Sequence, residues 1–308
     1  MRDATAWMGR ALRSYWDQGE ASERFGYAVG AVLVAAGVFH FGVFLVDGGG
    51  WQGPVSWRKP TVFGLSFGVT VVTITWLTTL LTVDRRVRGA LIVALAGAST
   101  GEVALVSMQQ WRGVPSHFNV TTPFDGAVFQ VMGLLVMIVG VVVVAVTVLS
   151  FVRVQARASM RLAVRSGLLL LLVAQGVGGA MIGAGTVELP DPAAYTAGAP
   201  LKLSHAVTMH GVQILPAIAW LLSFTAWAEA RRVRVVALAL TGHIGLAAVA
   251  IALGFQGDGA LDAGATLLLV AAAGAVLLAV AASLALRAVA RDPAPASGLC
   301  RQPARPAP

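Results

Sequence analysis

Glu102 and Gln109 stand seven residues apart in the run EVALVSMQQW. That is close to two turns of an α-helix, so the two side chains share a face. The surrounding residues are apolar enough to cross a bilayer, and Glu102 falls about 12 Å inside the outer end of the span at 1.5 Å per residue. A charged carboxyl near the middle of a span costs roughly 2.5–3.5 kcal/mol, so such a residue is expected to be paired, protonated or functional. The chemistry that suits it is general acid catalysis by a carboxyl kept protonated through desolvation. The plainer alternative is a hydrogen bond to Gln175 or to a Ser or Thr of a neighbouring helix.

Three more polar residues reach a similar depth. His210 and Gln213 lie one turn apart in SHAVTMHGVQILP, and His40 sits about two turns from the outer end of the first apolar run. Coincident depth on three helices predicts one shared pocket in which His210 or Asp125 tunes Glu102 or takes the final proton. His243 lies nearer the middle of its run and reads as structural. The stretch from Trp111 to Asn119 mixes Arg112, His117 and an amide with aromatics, the composition of a rim or lid. Asp125 follows it at a helix start, where capping alone would also account for a carboxylate. Arg58, Lys59 and Arg112 suit an anionic headgroup, or pair with Asp47 and Asp125. Trp51, Trp57, Trp111, Phe118 and Phe124 form an interfacial belt. Turned inward, such rings would stabilise a desolvated carbocation by about 2 kcal/mol.

Helices in lipid must hold these groups. Hydrophobic residues make up 57% of the 308 and charged residues 12%, a balance foreign to soluble domains. Apolar runs long enough to span the hydrocarbon core occur at 26–46, 60–82, 89–110, 125–152, 163–185, 204–228, 234–255 and 264–289. The expected fold is an all-α, polytopic transmembrane bundle of eight spans. Residues 1–25 form a cytoplasmic surface segment, 26–290 the membrane domain and 291–308 a disordered cytoplasmic tail rich in Pro, Ala and Arg.

Of the 22 basic residues, all but Arg58, Lys59, Arg112 and Lys202 fall in the termini or in alternate loops. By the positive-inside rule both termini are cytoplasmic. The +8 net charge therefore reports topology, and nucleic acid is not an expected partner. The preference for Arg over Lys, with abundant Ala, Val and Gly, points to a GC-rich bacterium and its plasma membrane. The single cysteine, Cys300, supports no intramolecular disulfide and no Cys-based metal site.

Gly pairs at four-residue spacing (Gly26 and Gly30, Gly64 and Gly68, Gly97 and Gly101, Gly179 and Gly183) are expected at close helix contacts. Pro216 is expected to kink the sixth span near Val212. The fourth and eighth spans, almost free of polar residues, are expected to face lipid.

The strings WRKPTVFGLS, WRGVPSHFNVTTPFD and HAVTMHGVQILP resemble those of an uncharacterised family of bacterial multi-span membrane proteins. More faintly, an eight-span chain with acids in its outer half is similar to the bacterial membrane-bound terpene cyclases of prenylated-alkaloid pathways. That resemblance implies a carboxylic acid that protonates an alkene or epoxide, with no cofactor or metal.

The leading expectation is thus an enzyme that cyclises or isomerises a lipid-like prenyl substrate, entering from the membrane lipids. Its catalytic residues would be Glu102, Asp125 and His210. Its substrate-binding residues would be His40, Trp57, Lys59, Gln109, Trp111, Arg112, His117, Asn119 and Gln213. The alternatives are a haem b electron-transfer protein with His40 and His210 as axial ligands, and a small-anion transporter using Arg58, Lys59 and Arg112. No inverted repeat of the kind common in transporters is visible in the sequence.

Overall fold

The computed structural model describes residues 2–191, 193–257 and 264–293. Cys300 and the tail expected to be disordered lie outside the described residues from 294 onward. The elements are α1 (Arg2–Asp17), α2 (Ala21–Asp47), α3 (Arg58–Thr78), α4 (Arg85–Trp111), α5 (Pro123–Val152), α6 (Ala158–Val187), α7 (Ala194–Ala197), α8 (Lys202–Ser223), α9 (Glu229–Gln256) and α10 (Ala265–Arg291). A short 3-10 turn, Ala199–Leu201, joins α7 to α8. The protein is an all-α bundle, and its eight long apolar helices make it a multi-pass membrane protein.

The helices outrun the apolar stretches because polar caps extend them. Glu20 and Glu23 form a capping box that starts α2 at Ala21, and the Asp84 side chain accepts from the Arg86 N–H to start α4. The N-terminal segment expected as a polar surface stretch is itself a helix, α1. α8 ends at Ser223, a few residues short of the expected boundary, because Thr225 turns away to bridge Pro293. Pro216 stays inside a helix that runs on to Ser223. The expectation of lipid-facing fourth and eighth spans holds best for α10: 11% of its most apolar stretch is buried, against 33% in α5 and 50% in α3.

The chain is built twice. α2–α5 and α6, α8, α9 and α10 follow the same plan, in which the first two helices pack most closely and the third leans on both. In each half a glycine pair makes that closest approach. A Cβ on Gly30 would lie 2.8 Å from the Gly68 carbonyl oxygen, and one on Gly167 would lie 3.0 Å from that of Gly211. Small residues in lipid let backbones meet in this way. Gly179 and Gly183 meet nothing within 4 Å, so the packing expected of them is absent; they stay at an open helix face.

The basic ends match as well. The Arg88 guanidinium donates to the Leu81 carbonyl at 3.0 Å and Arg232 to that of Thr225 at 2.6 Å. Leu81 bridges Val154 as Thr225 bridges Pro293. Thr82 N–H donates to the Arg153 carbonyl and Ala226 N–H to that of Asp292, both at 2.8 Å.

With four spans each, the halves stand the same way up, a parallel rather than an inverted repeat. They meet where α5 leans on α6 and where α3 touches α8. On α3 and α8, residues at matching positions face each other: the Ser66 hydroxyl donates to Met209 Sδ at 3.4 Å, and Thr70 and Gln213 lie 3.5 Å apart. A pseudo-two-fold axis therefore runs between these two helices.

Candidate functional site

The polar residues gather at the end opposite the basic loops, in three groups. The first is an aromatic staple. Trp57 donates from Nε1 to Asp47 Oδ2 at 2.7 Å and stacks on His40 with centroids 6.0 Å apart. Trp111 donates from Nε1 to His40 Nε2 at 3.2 Å. His40 Nε2 is thus the acceptor, which leaves the proton on Nδ1, and this donates to the Ala36 carbonyl at 2.8 Å. Both nitrogens are engaged, so His40 ties α2 to the ends of α3 and α4.

The second group is a clamp around Asp125. Thr122 and Asp125 cap the start of α5 reciprocally, the hydroxyl donating to Oδ2 at 2.7 Å and accepting from the Asp125 N–H at 3.1 Å. Gln109 donates to Oδ1 at 2.9 Å, and Arg112 binds both Oδ1 and the Gln109 amide oxygen. The Arg112 guanidinium also lies 4.7 Å over the Phe124 ring. Asp125 is 2% exposed with its oxygens saturated by donors, which makes it a capping and clamping group. The catalytic role expected for it has no free atom to act with.

Between α4 and α5 runs the loop 112–122. Its buried Asn119 accepts from the Thr121 N–H at 3.2 Å and donates to the Pro115 carbonyl at 3.1 Å, fixing a turn. Phe118 adopts φ 57°, a left-handed conformation that costs a non-glycine residue about 1–3 kcal/mol. The strain sets its ring between Gly185 of α6 and Phe129 of α5, the latter 5.3 Å away centroid to centroid. The loop plugs the contact between the halves at the end opposite the basic loops.

The third group holds the groups without partners. Glu102 is 1% exposed and, among the described residues, neither carboxylate oxygen has a hydrogen-bond donor, Gln175 and the Ser and Thr side chains included. His117 Nε2 lies 3.7 Å from Glu102 Oε1, too far for a hydrogen bond. His117 Nδ1 contacts the Ser116 hydroxyl at 2.9 Å, and its ring meets the edge of Phe63 at 5.5 Å. Burial and the nearby Lys59 ammonium push the His117 pKa down to about 3. The imidazole is therefore neutral at physiological pH, and the 3.7 Å contact is not an ion pair.

Lys59 in turn lies in the field of Lys202 and Arg58. Among the described residues none of these three cations has an ion pair or a hydrogen bond, and Arg58 Nε is buried without an acceptor. Lys59 and Lys202 stand the same distance before Gly68 and Gly211, at the first turns of α3 and α8. They are equivalent positions of the two halves, and both sit where a helix dipole adds positive potential.

The shared pocket expected for His40, Glu102 and His210 does not form. His40 belongs to the staple. His210 has an exposed side chain that makes no hydrogen bond among the described residues, and the groups in its field are His205 of α8 and His243 of α9. Gln213 faces Thr70 across the α3–α8 seam. His243 is structural as expected, its Nε2 meeting the Val207 carbonyl at 2.9 Å.

Lys202 was absent from the expected site. The signal that reveals it is the match between KPTVFGLSFG and KLSHAVTMHG. Two surface clefts, an apolar one between α4 and α5 lined by Leu91, Ala94 and Ile138 and a polar one beside Thr121, touch neither Glu102 nor the lysines. No protein-family model, curated protein or solved structure matches the chain.

Proposed function

We propose that this protein is a carrier for a small oxyanion, received by Lys59 and Lys202 at the mouth of the α3–α8 seam, with Glu102 bearing the coupled proton. The observation that carries the reading is the pair of equivalent lysines, one from each half, with Lys202 acting on Lys59 and neither paired among the described residues. Lys59, Lys202 and Arg58 repel one another, and an anion bound between the lysines relieves that repulsion while linking the halves. Parallel repeats that rock against one another are an established route to alternating access. Glu102 suits the proton because a charge there has no donor to stabilise it. His117 stands between it and Lys59, so a small shift would complete a relay. The basic residues of the segments 83–88, 153–165 and 231–234 favour a cytoplasmic placement of the end they share, and a bacterial plasma membrane is the setting that fits the composition.

The test is uptake of labelled phosphate, sulfate, nitrate or acetate into proteoliposomes under an imposed pH gradient. Lys59→Gln and Lys202→Gln should each weaken the apparent affinity by about 10- to 100-fold, the scale of one charged hydrogen bond. Glu102→Gln should keep anion binding and lose the response to the gradient. No uptake of any of these anions by wild type would overturn the reading.

A second reading keeps the prenyl cyclase, with Glu102 as proton donor. The observation in its favour is the unpartnered carboxyl beside His117, whose ring in turn meets Phe63. It expects cyclised products from cells fed prenylated substrates and a loss of about 10² in Glu102→Gln. A haem b held by His40 and His210 fits poorly, because the His40 nitrogen free to ligate already accepts from Trp111 and His210 is exposed on α8.

A further inference from the structure

At the basic end, the pseudo-two-fold axis meets a side chain from outside the repeat. Trp76 stands five residues before Leu81 and Trp220 five before Thr225, each at the basic end of its helix, and Tyr15 of α1 reaches both. Its ring meets the edge of Trp76 with centroids 6.3 Å apart, and its hydroxyl accepts from Trp220 Nε1 at 3.1 Å. Trp7, Met8 and Ala11 on the same face of α1 pack against Phe224 and Val289. One face of the helix is thus bound to both halves at once.

Among the described residues nothing covers the other face. Leu12 is 60% exposed and Trp16 50%, and at four-residue spacing they form one apolar edge. Arg10 and Arg13, both exposed, occupy the remaining arc. Apolar side chains beside arginines on a helix lying across the ends of membrane spans are the pattern of a segment embedded in a lipid interface. The arginines select for anionic headgroups, each contributing about 1 kcal/mol near such a surface.

We infer that α1 is a lipid-anchored latch: its outer face rests in an anionic leaflet, while Tyr15 holds the basic ends of α3 and α8 together. The latch stands apart from the transport reading, since both its lipid contact and its grip on the two halves are read without a substrate. It fixes the basic end closed in this structure, and release of Tyr15 is what would let that end open.

The experiment uses the full-length protein in nanodiscs of phosphatidylcholine, with or without phosphatidylglycerol. Amide exchange over residues 6–17 should slow with phosphatidylglycerol by about fivefold for each of the two arginines. In the double variant Arg10→Gln, Arg13→Gln the lipid dependence should vanish. Equal exchange of wild type in the two lipids would overturn the anchor.

The grip is read separately, from spin labels at Val83→Cys and Ala226→Cys in a Cys300→Ser background. Their distance distribution should be narrow in the parent and wider or longer in Tyr15→Ala. Tyr15→Phe, which keeps the ring but loses the hydroxyl that accepts from Trp220, should stay narrow while exchange in α1 rises about fivefold, the value of one hydrogen bond. An unchanged distribution in Tyr15→Ala would overturn the latch.

Discussion

The two halves share a plan and differ at one end. α4 places Glu102, Gln109 and Trp111 where α9 places Leu246, Leu253 and Phe255, counting from the matched Arg88 and Arg232. The first half carries an unpartnered acid, an Asp125 clamp and a strained plug loop. The second offers apolar side chains and Lys202. At the basic ends the difference disappears, and the same arginine-to-carbonyl staple closes both. Structure is thus conserved between the halves where it closes the bundle, and polar chemistry is concentrated in one half, so the acid and the lysine pair must be assembled across the seam rather than within a repeat.

The largest effect is expected from breaking a staple. Arg88 is 8% exposed and holds Glu20 together with two backbone carbonyls, with the Glu23 carboxylate also 3.5 Å away. Arg88→Ala strands carboxylates and carbonyls together and should cost about 3–5 kcal/mol. Arg232→Ala, whose partners are Glu229 and the Thr225 carbonyl, should cost less, as thermal unfolding in detergent would reveal. Equal losses would mean that Glu20 and Glu23 add nothing to the first staple.

A swap of the unlike positions sharpens the comparison at the next scale. Leu246→Glu puts an acid at the place that matches Glu102 and should destabilise by roughly 2.5–3.5 kcal/mol. Glu102→Leu, which gives the first half the residue of the second, should leave stability unchanged or raise it while abolishing activity. A gain in stability with a loss of function would mark Glu102 as a group retained for chemistry.

The smallest effect concerns pH. The folded pKa of His117 lies near 3, below the ordinary value of about 6.5, so the unfolded chain binds the extra proton between those limits. Stability should therefore fall as pH drops through 6.5 towards 3 and stay flat above. His117→Gln should remove part of that slope in a pH series of melting temperatures. Between pH 7 and 9 the stability of variant and parent should differ by a constant amount, since His117 is neutral throughout.

The eight spans were legible because apolar length is a property of composition, read without knowing any contact. The repeat was not, because only scattered residues match between the halves and the register slips by one along the way: Lys59 with Lys202 and Gly68 with Gly211 at one offset, Trp76 with Trp220 and Arg88 with Arg232 at an offset one residue longer. Glu102, Lys59 and His117 stood out by type and place. His40 and His210 were grouped with Glu102 by depth alone, and depth fixes height along a helix without fixing the direction the side chain points. The neighbours decided that direction, through the indole of Trp111 for His40 and the open face of α8 for His210.

The Leu81–Val154 bridge and its twin at Thr225–Pro293 carry a consequence for how the chain is made. Each half closes on itself within four consecutive spans, and the segment 153–157 that joins them lies on the same face as both starts. The first half can therefore complete its membrane insertion and tie off its basic end while the second is still being translated. For the same reason a break in the peptide bond between Gln155 and Ala156 leaves two fragments of like orientation, each with its own closure, able to find one another in the plane of the bilayer.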